Sequence, residues 1–223
     1  MRWHTFPKKL GLLVLLYGSV AQSQRLVSAR AGTVNYVRGA AFIDGERVVL
    51  NRNKLLVLKN GQTLQTQTGR VELLLGEGVF LRMGDAGSLR MDENHMEDTR
   101  LSIENGFALI EVVEIAKDAR LRISCGDRMV ELRAPGQYRF DADPGGLRVY
   151  SGVISIEGDD GILKAKAGQA VNLTGEPAIN KFDPKETDAF KAWADQRSDQ
   201  RIRRQRRQQE ERAMQKAKLK AQQ

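Results

Sequence analysis

From Ala31 to Leu173, apolar and polar residues alternate in short runs, and a glycine closes almost every run. Alternation with period two sends successive side chains to opposite faces, which is the pattern of a half-buried strand. The clearest stops are Lys59-Asn60-Gly61, Leu75-Gly76-Glu77-Gly78, Glu104-Asn105-Gly106, Tyr150-Ser151-Gly152 and Ala167-Gly168-Gln169. Glycine at a stop supplies positive φ at no steric cost, so each run can turn back on its neighbour.

About seventeen short strands follow from this pattern. The first are Thr33–Val37, Ala41–Asp44 (after the break Arg38-Gly39), Val48–Leu50 (after the turn Asp44-Gly45), Leu55–Leu58, Thr63–Thr66 and Val71–Leu75. Val79–Met83, Ser88–Met91, Leu101–Ile103, Phe107–Glu114, Leu121–Cys125 and Met129–Leu132 come next, then Tyr138–Ala142, Leu147–Tyr150, Val153–Glu157, Ile162–Ala165 and Val171–Leu173. The fold class expected is all-β, as a β-sandwich, jelly roll or solenoid-like β-roll, with a C-terminal basic helix or disordered tail.

The periodicity changes after Leu173. Asp183-Pro184-Lys185-Glu186 reads as a helix start, with aspartate at the N-cap, proline at N1 and glutamate at N3. Phe190 and Trp193, three apart, share a helix face and are placed to dock on the β body. Beyond Ala194 the apolar stripe ends, and the segment to Gln223 has only Ile202, Met214 and Leu219 as large apolar residues. Such a segment is expected to stay solvated, as a helix or as disordered chain.

Charge sharpens this division. The net +8 of the 223-residue chain is uneven: residues 1–23 carry +3 and residues 197–223 carry +7, leaving −2 for residues 24–196. The body is near neutral and the basicity belongs to the ends. At the first end, Arg2, Lys8 and Lys9 precede the apolar run Leu10–Tyr17, and small residues suit cleavage after Ser23 or, second, after Ala21. This is the layout of a secretory signal peptide; an uncleaved signal anchor is the alternative. The expected organisation is a signal peptide at 1–23, a β domain at 24–176, a linker and short helix at 177–196, and a basic Arg/Gln/Lys-rich tail at 197–223. An exported chain, periplasmic or extracellular, is expected.

Candidate chemistry is sparse. The single cysteine, Cys125, forms no intramolecular bridge and lies in phase with Leu121 and Ile123, which points it at the core as a small hydrophobe with a raised pKa. His95, the one histidine after the leader, sits among Asp92, Glu93, Glu97 and Asp98 but has no histidine or cysteine partner at metal-ligand spacing. No serine occupies a G-x-S-x-G elbow. Asp159-Asp160-Gly161 lacks the ligand spacing of a calcium loop and reads as a hairpin turn, as does Asp141-Ala142-Asp143-Pro144-Gly145-Gly146. The expectation is therefore no catalytic, cofactor-binding or metal-binding residue, no cofactor, and no enzyme activity. Arg201-Ile202-Arg203-Arg204-Gln205-Arg206-Arg207 is an anion-binding arm by composition. In an exported protein its partner is expected to be a protein or an anionic envelope polymer, with peripheral membrane contact at most and no nucleic acid.

Three stretches resemble the FecR domain, the ferric-dicitrate-sensor type of periplasmic β domain. Lys59–Thr66 leading into Gly69–Leu75 resembles the family's opening "G-x-x-L-x-T … a-x-L-x-L" stretch. Gly78–Gly84 with Ser88–Met91 resembles its "G-S-x-V-x-L-x-x-x-S-x-L" stretch. Leu101–Gly106 and Val149–Ile156 resemble its "L-x-L-x-x-G" and "V-x-V-x-x-G-x-V-x-V" pair, and Ala167-Gly168-Gln169 its closing "x-x-G-Q". The resemblance covers roughly 55–175. Family regulators carry a cytoplasmic sigma-factor-binding segment and one transmembrane helix before this domain, whereas here a signal peptide stands in that place. The resemblance implies the fold, not the family's signalling function; with the strand pattern, the signal peptide and the lack of catalytic groups, the expectation is a non-enzymatic exported FecR-like binding or scaffold module of the bacterial cell envelope. The alternative, if the N-terminal helix stays in the membrane, is a membrane-anchored FecR-type sensor or regulator in transmembrane signalling.

Overall fold

The computed structural model describes residues 31–221 except 52, 159 and 160. The expected signal peptide and the Asp159-Asp160 turn lie outside the described residues. Among the described residues fifteen strands and one helix follow one another: β1 Thr33–Ile43, β2 Glu46–Arg47, β3 Thr63–Gly76, β4 Val79–Met83, β5 Ser88–His95, β6 Asp98–Asn105, β7 Phe107–Val112 and β8 Arg120–Cys125. The rest are β9 Arg128–Leu132, β10 Gly136–Asp141, β11 Gly146–Ser151, β12 Val153–Gly158, β13 Gly161–Lys166, β14 Gln169–Asn172, β15 Ile179–Lys181 and α1 Ala189–Ala221.

All fifteen strands belong to one sheet in the order β13-β12-β9-β8-β6-β5-β3-β4-β7-β10-β11-β14-β15, with β1 and β2 branching from β3. Pairing is antiparallel except for β6 with β8. Successive coils of a stacked parallel solenoid pair in parallel, so this is the sandwich-like alternative: one sheet folded over on itself. The fold lies at β3. Its first part pairs with β5 (Thr63↔Arg90, Gln65↔Ser88) and its second with β4 (Val71↔Met83, Leu74↔Phe80). One hydrophobic core fills the space between the halves, with Leu73, Leu81 and Ile110 from one side and Leu89, Leu101 and Ile123 from the other. At the far side β13 approaches β11 and β14, which nearly closes the sheet.

Paired glycines explain the long β1 and β3. Arg38-Gly39 and the stretch between Thr66 and Val71 read as breaks in the sequence, yet the strands run through both. Gly39 lies opposite Gly69, beside a register shift between Gly39 and Ala41. A Cβ on Gly39 (φ +83°) would stand 2.1 Å from the Thr68 carbonyl oxygen, and one on Gly69 would stand 2.4 Å from that of Arg38. Two backbones this close bend together as a bulge and still pair. Leu55–Leu58 is instead part of a long loop, bridged at Thr33↔Val57, and Val48–Leu50 follows the short β2 as loop. Neither segment finds a full strand partner, and Val49 and Leu55 stay exposed. The short strand β15 has no counterpart in the sequence expectation.

The helix begins five residues later than expected. The Asp183 carboxylate accepts the Lys185 N–H within a local turn, and it is Asp188 that caps α1, accepting the Lys191 N–H at 2.7 Å. From there α1 runs 33 residues, about 50 Å at 1.5 Å per residue. The C-terminal basic segment is helical to Ala221. No helix among the described residues is long and apolar enough to cross a membrane.

Candidate functional site: the docked helix and its basic arm

Strand alternation that fills the core with Leu73, Leu81, Met83 and Ile110 turns Glu72, Phe80, Arg82, Leu109 and Glu111 to the opposite face of β3, β4 and β7. Neighbouring β1 and β10 add Tyr36 and Arg139. The first third of α1 covers this face. Phe190 meets Phe107 edge-on at 4.7 Å, and Trp193 packs against Tyr36 at 5.9 Å. Ala194 is fully buried beside Leu109. Arg139, itself flanked by Asp141 at 3.0 Å, reaches the capping Asp188 and stacks over Phe107.

Below these aromatics the contact becomes ionic. Arg82, wholly buried, donates from Nε to Glu72 at 2.8 Å and from Nη1 to Glu111 at 3.0 Å. The helix adds Arg197 to Glu72 at 2.6 Å, Arg201 to Glu111 at 2.9 Å, and the Ser198 hydroxyl to Glu111 at 2.7 Å. Asn35 donates to Glu72 as well. The Arg197 and Arg201 guanidinium groups also lie over the rings of Tyr36 and Phe80. The sheet alone presents two carboxylates around one guanidinium, one negative charge in excess; the helix brings two further guanidinium groups, so three cations surround the two carboxylates. Docking by α1 thus continues past Ala194, where the apolar stripe ends, because charge takes over from apolar contact.

Burial opposes ionisation of Glu72, but the hydrogen bond from Arg197 and the charges of Arg82 and Arg197 outweigh it and hold its carboxyl below its ordinary 4.5. A fully paired carboxylate with a lowered pKa is a poor general acid or base at neutral pH, and the arrangement fastens the helix. Its contribution is complete above pH 4.5 and falls away as pH drops through the lowered folded-state value. Melting temperature should therefore fall between neutral pH and the range below 4.5. Glu72→Gln should lower it at neutral pH and flatten that acid dependence; an unchanged slope in the variant would show that Glu72 does not carry it.

The residues singled out from sequence lie elsewhere. Cys125 is buried (1% exposed) with its thiol pushed up to about 11, first by burial and then by the Asp141 charge. His95 is exposed at the end of β5, 3.8 Å from Glu93, and no group of three His, Cys, Asp or Glu is arranged to hold a metal among the described residues. Ser151 ends β11, and the Asp141–Gly146 stretch turns between β10 and β11. Phe190 and Trp193 dock as their spacing suggests. Glu72, Arg82, Glu111 and Ser198 were not singled out. A signal existed: Phe190, Ala194, Arg197 and Arg201 recur at the 4-3-4 spacing of one helix face.

Past Arg201 the helix leaves the body. Every residue from Ile202 to Lys220 is exposed, and this stretch carries eight basic side chains against Glu210 and Glu211. None of its charges forms an ion pair within 4 Å among the described residues.

No family model and no curated protein matches the chain. Among solved structures, two crystal structures of a candidate anti-sigma factor from Parabacteroides distasonis ATCC 8503, at 2.50 and 1.65 Å resolution, are similar. The first has 12% identity and a TM-score of 0.46, the second 11% and 0.47. Each alignment covers 55% of this chain and 61% of the other, so this chain spans less than two thirds of those proteins. Likeness at this level transfers neither activity nor partner.

Proposed function

We propose that this chain is a non-enzymatic FecR-like binding or scaffold module of the bacterial cell envelope, exported by its N-terminal leader. Its β body holds a basic helix in a fixed place for attachment to an anionic partner. The observation that carries the reading is the division of α1: residues 189–201 are fastened by aromatics and ion pairs, while residues 202–220 project with every side chain exposed. A helix that is polar all round gains nothing from packing, and such helices serve as solvated bridges or binding arms. The family-like strand and glycine motifs fall on β3 to β6 and on β11, β12 and the turn before β14, which supports the FecR-like part of the reading.

Fixing the docked length also fixes where to cut. Removal of residues 197–223 would take Arg197 and Arg201 from the sheet; removal of 203–223 takes the arm alone. In fractionated cells the full chain should be recovered with washed envelopes, starting at Gln22 or Gln24. Its retention should fall with rising ionic strength, and the chain lacking 203–223 should be retained several-fold less. Equal retention of both forms would refute the role of the arm, and a protein starting at Met1 would replace the exported module with an anchored sensor.

A further inference from the structure

The helix runs along β7 in the strand's own direction, from Phe190 over Phe107 to Arg201 at Glu111. Continued, it passes over the end of the sheet where β3 turns into β4 and β7 leaves for β8. At that same end a groove of about 550 Å³ opens between the two halves of the folded sheet. Its floor is apolar, with Leu75, Val79 and Leu121 buried and Ile115 half-buried. Its rim is acidic: Glu77, Glu97, Glu114 and Asp118 are exposed, none forms an ion pair within 4 Å among the described residues, and Arg120 is the one basic residue of the lining.

A straight helix fastened on the outer face cannot bend back into the groove of its own body. We propose that the arm enters the acidic groove of a second copy of this chain, and the second copy's arm enters the groove of the first. Because arm and groove lie at one end of the molecule, a two-fold axis beyond that end makes both contacts at once, as an isologous pair requires. Charge complements charge: Arg212, Lys216 and Lys220 recur at helical spacing on one face of the arm together with Leu219, so the three cations face the acidic rim while Leu219, exposed on the arm, meets the apolar floor. The proposal rests on the reading of the arm as a binding element and names a partner for it.

The test is the mass of the purified mature chain by light scattering, across ionic strength. At low salt a particle of twice the chain mass is expected, dissociating as salt rises, since exposed charges are screened within about 10 Å at 0.1 M. Glu77→Lys with Glu97→Lys, and separately Arg212→Glu with Lys216→Glu, should each weaken association at least about tenfold, because each homodimer then opposes like charges. All four positions are exposed, and circular dichroism checks that each variant is folded. Mixing the two variants should restore a pair, since one groove then receives a reversed arm and the other a native one. A monomer at every salt concentration, or variants that associate as the native chain does, overturns the proposal. Envelope retention is read separately: retention without self-association leaves the envelope role intact and refutes the second copy as partner, while self-association without retention does the reverse.

Discussion

Arg82→Ala should cost about 3–5 kcal/mol, the range for removing one partner from a buried ion pair. Arg82 has no exposed surface, and Glu72 is 2% exposed. Without the guanidinium, Glu72 and Glu111 face each other across β4 with the helix cations, Asn35 and Ser198 as their remaining partners. Those cations sit on a segment that must itself stay docked, so one substitution strikes both the sheet face and the helix. For a domain of this size the loss corresponds to a fall in melting temperature of roughly 10 °C. Arg82→Lys separates charge from geometry: a single ammonium cannot reproduce the forked contact of Nε with Glu72 and Nη1 with Glu111, so an intermediate loss is expected. Thermal denaturation of the three proteins measures this. A melting temperature for Arg82→Ala within a degree or two of the native value would mean that the remaining partners satisfy both carboxylates.

Why this network escaped the sequence, while the strands around it did not, is a matter of range. Val79–Met83 was bounded correctly because alternation and flanking glycines are local. The same alternation turned Glu72, Arg82 and Glu111 outward, where charged residues on a strand normally face water. What buries them is Arg197, 125 residues from Glu72, and no periodicity reports which face a distant helix will choose. The helix cap shows a nearer competition. Asp183-Pro184-Lys185-Glu186 has the residues of a helix start, but Asp183 spends its carboxylate on a local turn, whereas Asp188 is fixed by Arg139 of β10 and so caps α1. Gly39 and Gly69 misled in the opposite sense: singly each reads as a stop, and only their pairing turns a break into a bulge. The projecting arm was legible as solvated; its helical form and its place over one end of the sheet follow from the docked segment before it.

Trp193→Ala should release the helix from the body and cost about 3 kcal/mol, the low end of the range for deleting a packed aromatic side chain. Trp193 is 7% exposed and lies between Tyr36, Phe190 and the Arg70 guanidinium. The remaining apolar anchors on α1 are Phe190, at its first turn, and Ala194, which is small. With the indole gone, the ion pairs of Arg197 and Arg201 have to hold the helix without apolar contact beside them, and admitted water lowers the worth of each pair. Limited trypsin digestion reads this directly, because trypsin cleaves after arginine. In the native protein cleavage after Arg197 and Arg201 should be slow beside cleavage in the exposed arm from Arg203 onward, because their side chains are held by Glu72 and Glu111; exposed loop lysines such as Lys54 and Lys117 serve as internal references. In Trp193→Ala both should become cleavable at the rate of the arm sites, while cleavage at the loop lysines of the β body stays at its native rate. Trp193→Phe keeps a ring against Tyr36 and should preserve most of the protection. Native-like protection in Trp193→Ala would instead assign the docking to the ionic contacts, and the acid dependence of the Glu72→Gln variant would then become the stronger measure of what fastens the arm.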